Sequence, residues 1–393
     1  MSMRWRKLIG DERGMSLVFV GLGLMGFVAA TMLAIDVGML MTSRAQAQNS
    51  ADAGAHAGAV ALAFVDYNDR SLTGPAVTSA VNQARSNGVM GANITVLPEE
   101  VEFLPDPTGE MNRVRVRVYR DAAHGNPMDT FIARLFGTNT MDISAVATGE
   151  ASPADMPTRC LPFTIPDRWE EHTNPPFNAV TSYFDLYAGR HGNNPGTPLE
   201  NPDVYRDATD KSTYTGYSPW TDRGTLIRLK AGVDTTVSPS VYNPIVVPGT
   251  GTGADRYRNG IVNGVCPTAG WGDYLTSEPG GVVGPTAQGI DELIAKDPDA
   301  RWDTGCRCVM RGSERVTDSP RIAEIPLYDP YWYETHQQTG RNVAFKVTNY
   351  LGVFVEGMQG NEVLAYIMPA PGKRSGDTNI PGGMFLRTVR IVQ

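Results

Sequence analysis

Residues 15–35 read MSLVFVGLGLMGFVAATMLAI and contain no charged side chain. An α-helix rises about 1.5 Å per residue, so about 20 apolar residues cross the hydrocarbon layer of a bilayer. The stretch therefore predicts a membrane-spanning helix, which we place at residues 15–38. A cleaved signal peptide is the alternative, but its apolar region would be shorter and a small-x-small cleavage site would follow it. The length of the run favours an uncleaved anchor.

The charges on either side of this run predict its orientation. Asp36 is the first charged residue after it, and Arg44 is the first basic one. Four basic residues precede it: Arg4, Arg6, Lys7 and Arg13. Because positively charged flanks stay in the cytoplasm, residues 1–14 are predicted to form a cytoplasmic tail. The rest of the chain is then expected outside the cytoplasm.

A row of small residues recurs along the predicted span at intervals of four. Its members are Gly26, Ala30, Ala34 and Gly38. Small side chains allow the backbone of a second membrane helix to approach closely. The row therefore predicts a helix-packing face for another copy of this chain or for a different membrane protein. The alternative is that Gly and Ala are simply common in membrane helices.

The sequence after the span predicts a small α+β module over residues 39–155. Alanine, the best helix former, dominates residues 39–64, which we expect to continue the span as a stalk helix. A second helix is predicted at residues 75–86. A third is predicted from Pro127 to Gly137, with four residues as its buried stripe: Met128, Phe131, Ile132 and Leu135. Alternating or apolar runs predict four strands, at residues 94–97, 101–104, 113–118 and 142–148.

Residues 156–393 are predicted to form a larger, β-rich and loop-rich domain outside the cytoplasm. Gly, Pro, Asn, Thr and Tyr are frequent between residues 167 and 285, which indicates long loops. One helix is expected at residues 286–296. Strands are expected at residues 322–327, 343–355, 363–368 and 384–392. The whole chain is therefore assigned to the α+β class.

All four cysteines lie in this second part of the chain: Cys160, Cys266, Cys306 and Cys308. An even number of cysteines in an exported domain predicts two disulfides. A bond between Cys306 and Cys308 would close a tight ring, so we expect both to bond outward, to Cys160 and Cys266 in an order left open. A structural zinc site usually needs two close ligand pairs, and only one is present.

Composition and motifs exclude several classes of function. A net charge of -8 argues against a nucleic-acid binder, and a mean hydropathy of -0.24 argues against a polytopic membrane protein. No GxSxG, HExxH or Walker pattern is present. The glycine-rich run 249–253 is interpreted as a loop, and Asp297, Asp299 and Asp303 as a solvated acidic turn. The sequence therefore predicts a non-enzyme with no cofactor and no metal.

The N-terminal part resembles the TadE/TadG-like proteins of Flp (Tad) pilus assembly. The resemblance rests on Glu12-Arg13-Gly14, on Ala34-Ile35-Asp36-Val37-Gly38 and on Gln48-Asn49-Ser50-Ala51-Asp52-Ala53 before an alanine run. The later pieces VRVRV, DTFIARLFG and ISAVATGEA occupy the places of a strand, a Phe-rich helix and a closing strand in that family. The resemblance covers residues 10–155 and is fainter over 321–370.

The resemblance implies a structural component of pilus assembly, anchored in the bacterial inner membrane with its bulk in the periplasm. Its partners would be other pilus-assembly proteins, or further copies of itself. Phe19 stands where pilins of this system carry the Glu that guides processing, which favours an anchored, TadG-like protein. Residues 142–146 lack the D-x-S-x-S of a von Willebrand A metal site. A surface or periplasmic binding protein and a minor pilin are the alternatives.

Overall fold

The computed structural model describes residues 15–172, 176–188, 196–232, 237–246, 252–336, 343–376 and 380–392. The described residues form two units. The first unit contains the residues up to Glu150 together with those from Val389 onward, and the second contains Ala151–Thr388. The predicted tail at residues 1–14 and most of the glycine-rich run 249–253 lie outside the described residues.

The longest element is a single helix that contains both the predicted span and the predicted stalk. Helix α1 runs from Met15 to Phe64 without a break, so its axis is about 75 Å long. The continuous helix expected from the apolar run and the alanine-rich sequence is confirmed. Four further α-helices lie in the described residues: α2 (Pro75–Arg85), α3 (Ala254–Asn263), α4 (Val283–Ala295) and α5 (Pro330–Thr335).

Strands supply most of the remaining regular structure. In chain order they are β1 (Val101–Leu104), β2 (Arg113–Arg120), β3 (Met128–Asp129), β4 (Thr140–Met141), β5 (Ile143–Pro153), β6 (Phe163–Pro166), β7 (Tyr187–Ala188), β8 (Thr197–Pro198), β9 (Leu226–Ala231), β10 (Val241–Pro244), β11 (Tyr274–Thr276), β12 (Ala300–Asp303), β13 (Cys308–Arg311), β14 (Glu314–Arg315), β15 (Ile322–Tyr328), β16 (Ala344–Gln359), β17 (Glu362–Ile367) and β18 (Arg387–Val392). Two short 3-10 helices occur at Pro98–Glu100 and Ala133–Phe136.

The first unit packs α1 and α2 against a four-stranded sheet with the order β1-β2-β5-β18. Val114, Val116 and Val118 of β2 are buried and alternate with partly exposed arginines, as the sequence pattern predicts. The predicted strand at residues 94–97 is reduced to one bridge between Thr95 and Tyr119. The predicted final strand begins only at Arg387 and joins this N-terminal sheet.

The prediction of a helix from Pro127 to Gly137 is wrong. Residues 128–141 form a hairpin in which β3 pairs antiparallel with β4, and only Ala133–Phe136 makes a 3-10 turn. Asn126, just before this segment, donates from its side-chain amide to the carbonyl of Asn93 and the hydroxyl of Thr95. Phe131, expected in a buried stripe, is 55% exposed. Gly137 does end the turn, in the left-handed conformation at φ 92.

The second unit is built around a closed ring of six strands. β15, β6, β10, β9, β17 and β16 pair in that order, and β16 also pairs with β15. The pairs β15–β6 and β10–β9 are parallel and the others antiparallel. β16 pairs with three strands, β11, β15 and β17. Its register with β17 shifts between Val355 and Gly357, as at a β-bulge. Helix α4 packs against β16 and α3.

The disulfide pairing differs from the expected one. The structure bonds Cys160 to Cys266 and Cys306 to Cys308. The expectation that Cys306 and Cys308 both bond outward is therefore wrong. Arg307 between them has φ 49, and this left-handed conformation turns the chain enough to bring the two neighbouring cysteines together. The Cα atoms of Cys160 and Cys266 lie 4.7 Å apart, where the start of β6 passes the residues after α3.

Candidate functional site: the long helix and the loop that it holds

The first part of α1, residues 15–35, exposes its apolar side chains. We call it the inner part of the helix, and the rest the outer part. An 18-residue window of this helix has a mean hydropathy of 2.3, and none of it is buried. Leu17, Met25 and Phe27 are each more than 70% exposed. In the part of the chain that the structure describes, α1 is the one helix long and apolar enough to cross a membrane. Such a helix suggests a membrane anchor, because water would not tolerate so large an apolar surface.

The predicted row of small residues lies on this exposed part. Gly26, Ala30, Ala34 and Gly38 are all exposed. A Cβ atom added at Gly26 or Gly38 would meet no atom within 4 Å. Gly38 is two positions from the buried Asp36, which places it about 200° away around the helix. The outer end of the row therefore points away from the face that the module covers. A partner for this row stays a prediction.

The outer part of α1 is docked on its own module along one face. Gly54 and Gly58 are buried, and α2 crosses over them. A Cβ atom at Gly54 would lie 2.9 Å from the Cβ atom of Ala84, and one at Gly58 would lie 2.8 Å from Val114 Cγ1. The two glycines thus allow a close approach of helix and sheet that a side chain would prevent.

The polar side chains of this outer part fix the module to the helix. The Ser50 hydroxyl donates to the carbonyl of Ala84 in α2 at 2.7 Å. The side-chain oxygen Oε1 of Gln46 accepts from the backbone amide of Met90 at 2.7 Å. The Gln48 amide donates to the carbonyl of Val146 in β5 at 3.1 Å. Residues 46–53, which include the Gln-Asn-Ser-Ala-Asp-Ala sequence, therefore dock the module on the helix, and we call them the docking strip.

Asp36 is the most unusual residue of the helix. It is the first charge after the apolar run, yet only 5% of it is exposed. Its carboxylate accepts hydrogen bonds from the backbone amides of Phe131, Ile132 and Ala133, with lengths of 2.9, 2.9 and 2.8 Å. These amides start the 3-10 turn and would otherwise lack acceptors. Asp36 thus holds the hairpin of residues 128–141 against the end of the predicted span.

The hairpin runs along α1 toward the apolar part of the helix. Near its base, the Ser43 hydroxyl donates to the sulfur of Met128 at 2.9 Å. Across the hairpin, the Thr130 amide donates to the carbonyl of Asn139 at 3.0 Å. We call residues 130–139 the tip loop. Because Ser43 lies seven residues beyond Asp36, the base of the hairpin is about 10 Å further out along the helix than the tip loop.

Two carboxyl groups are buried in the second unit. Asp167 is fully buried and accepts hydrogen bonds from the hydroxyls of Tyr214 and Tyr205 at 2.7 and 3.1 Å. Burial raises the pKa of Asp167 to about 7, although these hydrogen bonds oppose the shift. Burial likewise raises the pKa of Glu324 to about 7, against bonds from the amide of Arg159 and the hydroxyl of Thr158. Both networks join strands and loops far apart in sequence.

Two groups of ligand-type side chains meet among the described residues of the second unit. The first is Cys160, Cys266 and Glu324, in which the two cysteines are bonded to each other. In the second, Glu171, His172 and Asp203 bring donor atoms within 4.8 Å of one another. Asp203 already accepts from the backbone and ring of His172 and from the amide of Asp185. These bonds hold His172 and Asp185 beside Asp203. Asp297, considered for an acidic turn, instead binds the guanidinium of Arg311 at 3.0 and 2.6 Å.

The comparisons with known proteins bear on the long helix. Residues 14–61 match the family described as "Putative Flp pilus-assembly TadE/G-like". No curated protein and no solved structure gives a match. The family match confirms the resemblance drawn from the sequence and covers the span, Asp36 and the docking strip. It indicates a pilus-related, structural role and a location in the cell envelope.

Proposed function

We propose that this chain is a structural, non-enzymatic component of Flp/Tad-type pilus assembly, anchored in the inner membrane with its bulk in the periplasm. The observation that carries the proposal is the division of α1, within the family match, into an exposed apolar part and a docked polar part. The apolar part can contact lipid tails and the helices of partner proteins. The second holds a folded module at a fixed distance from the membrane.

The orientation in this proposal rests on the charges around the span. Basic residues precede the apolar run, and Asp36 follows it. We therefore expect activity from a reporter enzyme that works only outside the cytoplasm when it is fused after Gln393. Activity of a cytoplasmic reporter at the same place would contradict the proposed orientation.

Fractionation separates this proposal from its alternatives. We expect the protein to resist carbonate extraction of the membrane and to be missing from sheared filaments. Its peptides should include residues 1–14, because Phe19 replaces the Glu that guides pilin processing. Presence in filaments with a mature N-terminus at Met15 would instead identify a minor pilin. Release from the membrane to the cell surface would favour a binding protein.

The role in assembly needs a genetic test. Deleting the gene in the native cell should abolish piliation, and the wild-type gene should restore it. A variant with Leu24 and Phe27 both replaced by Arg serves as the matched control, because it keeps the outer domains but lacks a span that lipid tolerates. Full piliation in the deletion strain would overturn the proposed function.

A further inference from the structure

We propose that the tip loop lies on the lipid headgroups, with Phe131 and Arg134 in contact with the membrane surface. The inference deepens the proposed function and rests on it, because it requires that the inner part of α1 spans a bilayer. Nothing in the sequence pattern alone predicts it, since Phe131 was expected in the buried stripe of a helix.

The position of Asp36 along α1 sets the depth of the loop. Residues 15–35 form 21 consecutive positions without charge, which correspond to about 31 Å of helix. This length equals the hydrocarbon thickness of about 30 Å. Asp36 therefore lies where hydrocarbon gives way to headgroups. The amide nitrogens of Phe131, Ile132 and Ala133 lie within 2.9 Å of its carboxylate, so the tip loop lies at the same depth.

The direction of the hairpin supports the same placement. Its base contacts α1 at Ser43 and its tip contacts α1 at Asp36. The hairpin therefore descends toward the membrane and turns at the boundary. Ile132, at the start of the turn, is buried. Thr138 and Asn139 on the returning side are exposed.

The exposed side chains of the tip loop have the chemistry of a membrane interface. Phe131 is 55% exposed, and the guanidinium carbon of Arg134 lies 5.9 Å from the centre of its ring. Aromatic rings partition to the headgroup level. An Arg side chain pairs with lipid phosphate and is attracted to anionic lipids. An exposed Phe beside an exposed Arg at the end of a membrane span therefore fits an anionic lipid surface.

The test places an environment-sensitive label on the loop of the full-length protein. Phe131→Cys is labelled with NBD under non-reducing conditions, while the native cysteines are paired. The protein is reconstituted in vesicles of phosphatidylcholine and phosphatidylglycerol, with or without lipid that carries a quencher near the headgroup. Leu72→Cys is the matched control. Leu72 is 50% exposed in the same unit. It precedes α2, which packs on Gly58. Gly58 lies 22 residues beyond Asp36 in α1, so Leu72 is about 30 Å further from the boundary.

We expect the Phe131 label to be quenched at least threefold more than the Leu72 label in vesicles that float with the protein. Arg134→Gln should reduce the difference between anionic and purely zwitterionic vesicles. Thr138→Cys gives a second label position, should Phe131→Cys misfold. Equal, weak quenching at residues 131, 138 and 72 in floated protein would overturn the inference and leave the proposed anchor intact. Failure of the protein to float would overturn both.

Discussion

Asp36 joins the exposed apolar part of α1 to the folded module of the first unit. A buried carboxylate is costly unless its oxygens are satisfied, and three backbone amides satisfy this one. We expect Asp36→Asn to weaken this contact, because an amide keeps only one acceptor oxygen. Loss of a hydrogen bond to a charged group costs about 1.5–3 kcal/mol.

Hydrogen exchange of the backbone amides of residues 131–133 measures this effect directly. Exchange should speed up in Asp36→Asn and remain unchanged at Val114 in the core of the sheet. Asp129→Asn is the control, because Asp129 is exposed on the same hairpin. Unchanged exchange at residues 131–133 would show that the carboxylate is not what holds the loop.

Glu324 makes the stability of the second unit depend on pH. Burial raises its pKa to about 7 from the ordinary 4.5. Below pH 4.5 both folded and unfolded chains hold the proton, and its contribution is fully present. As pH rises from 4.5 to 7, only the unfolded chain releases the proton, so stability falls by roughly 3 kcal/mol. Asp167, with its pKa also raised to about 7, acts in the same direction.

Glu324→Gln should therefore flatten the decline of unfolding free energy between pH 4.5 and 7. The measurement is denaturant unfolding of the full chain in detergent at several pH values, followed by the signal of the buried tryptophans. Glu314→Gln, at an exposed position in the same unit, should keep the wild-type slope. A slope that is identical in both variants would contradict the assignment of this pH dependence to Glu324.

At the scale of elements, Gly54 allows α1 and α2 to lie close together. A Cβ atom there would also come within 3.0 Å of the carbonyl oxygen of Ala80, a backbone atom that cannot move freely. We expect Gly54→Val to destabilise the first unit by about 1–3 kcal/mol, as overpacking usually does. Gly21→Val is the control, because nothing lies within 4 Å of its added Cβ atom and Gly21 lies off the row of small residues. Thermal unfolding should separate the two variants by several degrees.

The row of small residues is proposed to dock a second membrane helix. Lipid tails are as apolar as Leu or Val, so association within the bilayer needs close backbone contact. Gly26→Ile and Ala30→Ile should keep normal membrane levels but lose crosslinking to the partner helix and lose piliation. Leu24→Ile, off this row, should keep both. Wild-type crosslinking and piliation in the Gly26 and Ala30 variants would place the function in the outer domains.

Local patterns predicted the elements well where one face is buried. The alternation of β2 and the helix α2 both appear where the sequence predicts them. The hairpin at residues 128–141 escaped prediction because it depends on Asp36, about 95 residues away. Residues 127–137 have a helical period of apolar residues, but the amides of residues 131–133 bind that carboxylate, and Phe131 turns outward. A long-range acceptor overrode the local pattern.

At the scale of the whole molecule, the disulfides were predicted in number but not in pairing. Bonding between Cys160 and Cys266 spans 106 residues and should stabilise by about 4.7 kcal/mol in the chain-entropy model. The bond between Cys306 and Cys308, at a sequence separation of 2, closes a loop of only three residues and should contribute about 1.6 kcal/mol in the same model. The double variant Cys160→Ala/Cys266→Ala should therefore unfold at a lower temperature than Cys306→Ala/Cys308→Ala.

Peptide mapping without reduction tests the pairing itself. Protein isolated from the envelope should give one peptide pair that joins Cys160 to Cys266, and one fragment that holds Cys306 and Cys308 together. A peptide that links Cys160 to Cys306 or to Cys308 would restore the pairing expected from the sequence. Four free thiols would exclude both.

Closure of the six-stranded ring could not be predicted from the sequence. The strands around residues 322–368 are evident from their apolar runs, but β6, β9 and β10 are short and separated by long loops. Two of the ring's contacts are parallel pairs between distant segments, and no local signal specifies such a pairing. The hydrogen-bond networks of the Asp167 and Glu324 carboxyl groups could not be predicted for the same reason, since their partners come from separate loops.

The place of β18 ties together parts of the chain that are far apart in sequence. This strand follows the second unit in the sequence, yet it completes the sheet of the first unit, where Arg390 binds the buried Glu150 of β5 at 2.8 Å. Until residues 387–392 have paired, the edge of β5 stays open. An open strand edge invites aggregation and proteolysis. A chain cut before residue 387 keeps that edge open, so the first unit should be a better substrate for proteases in such a fragment than in the chain that contains β18.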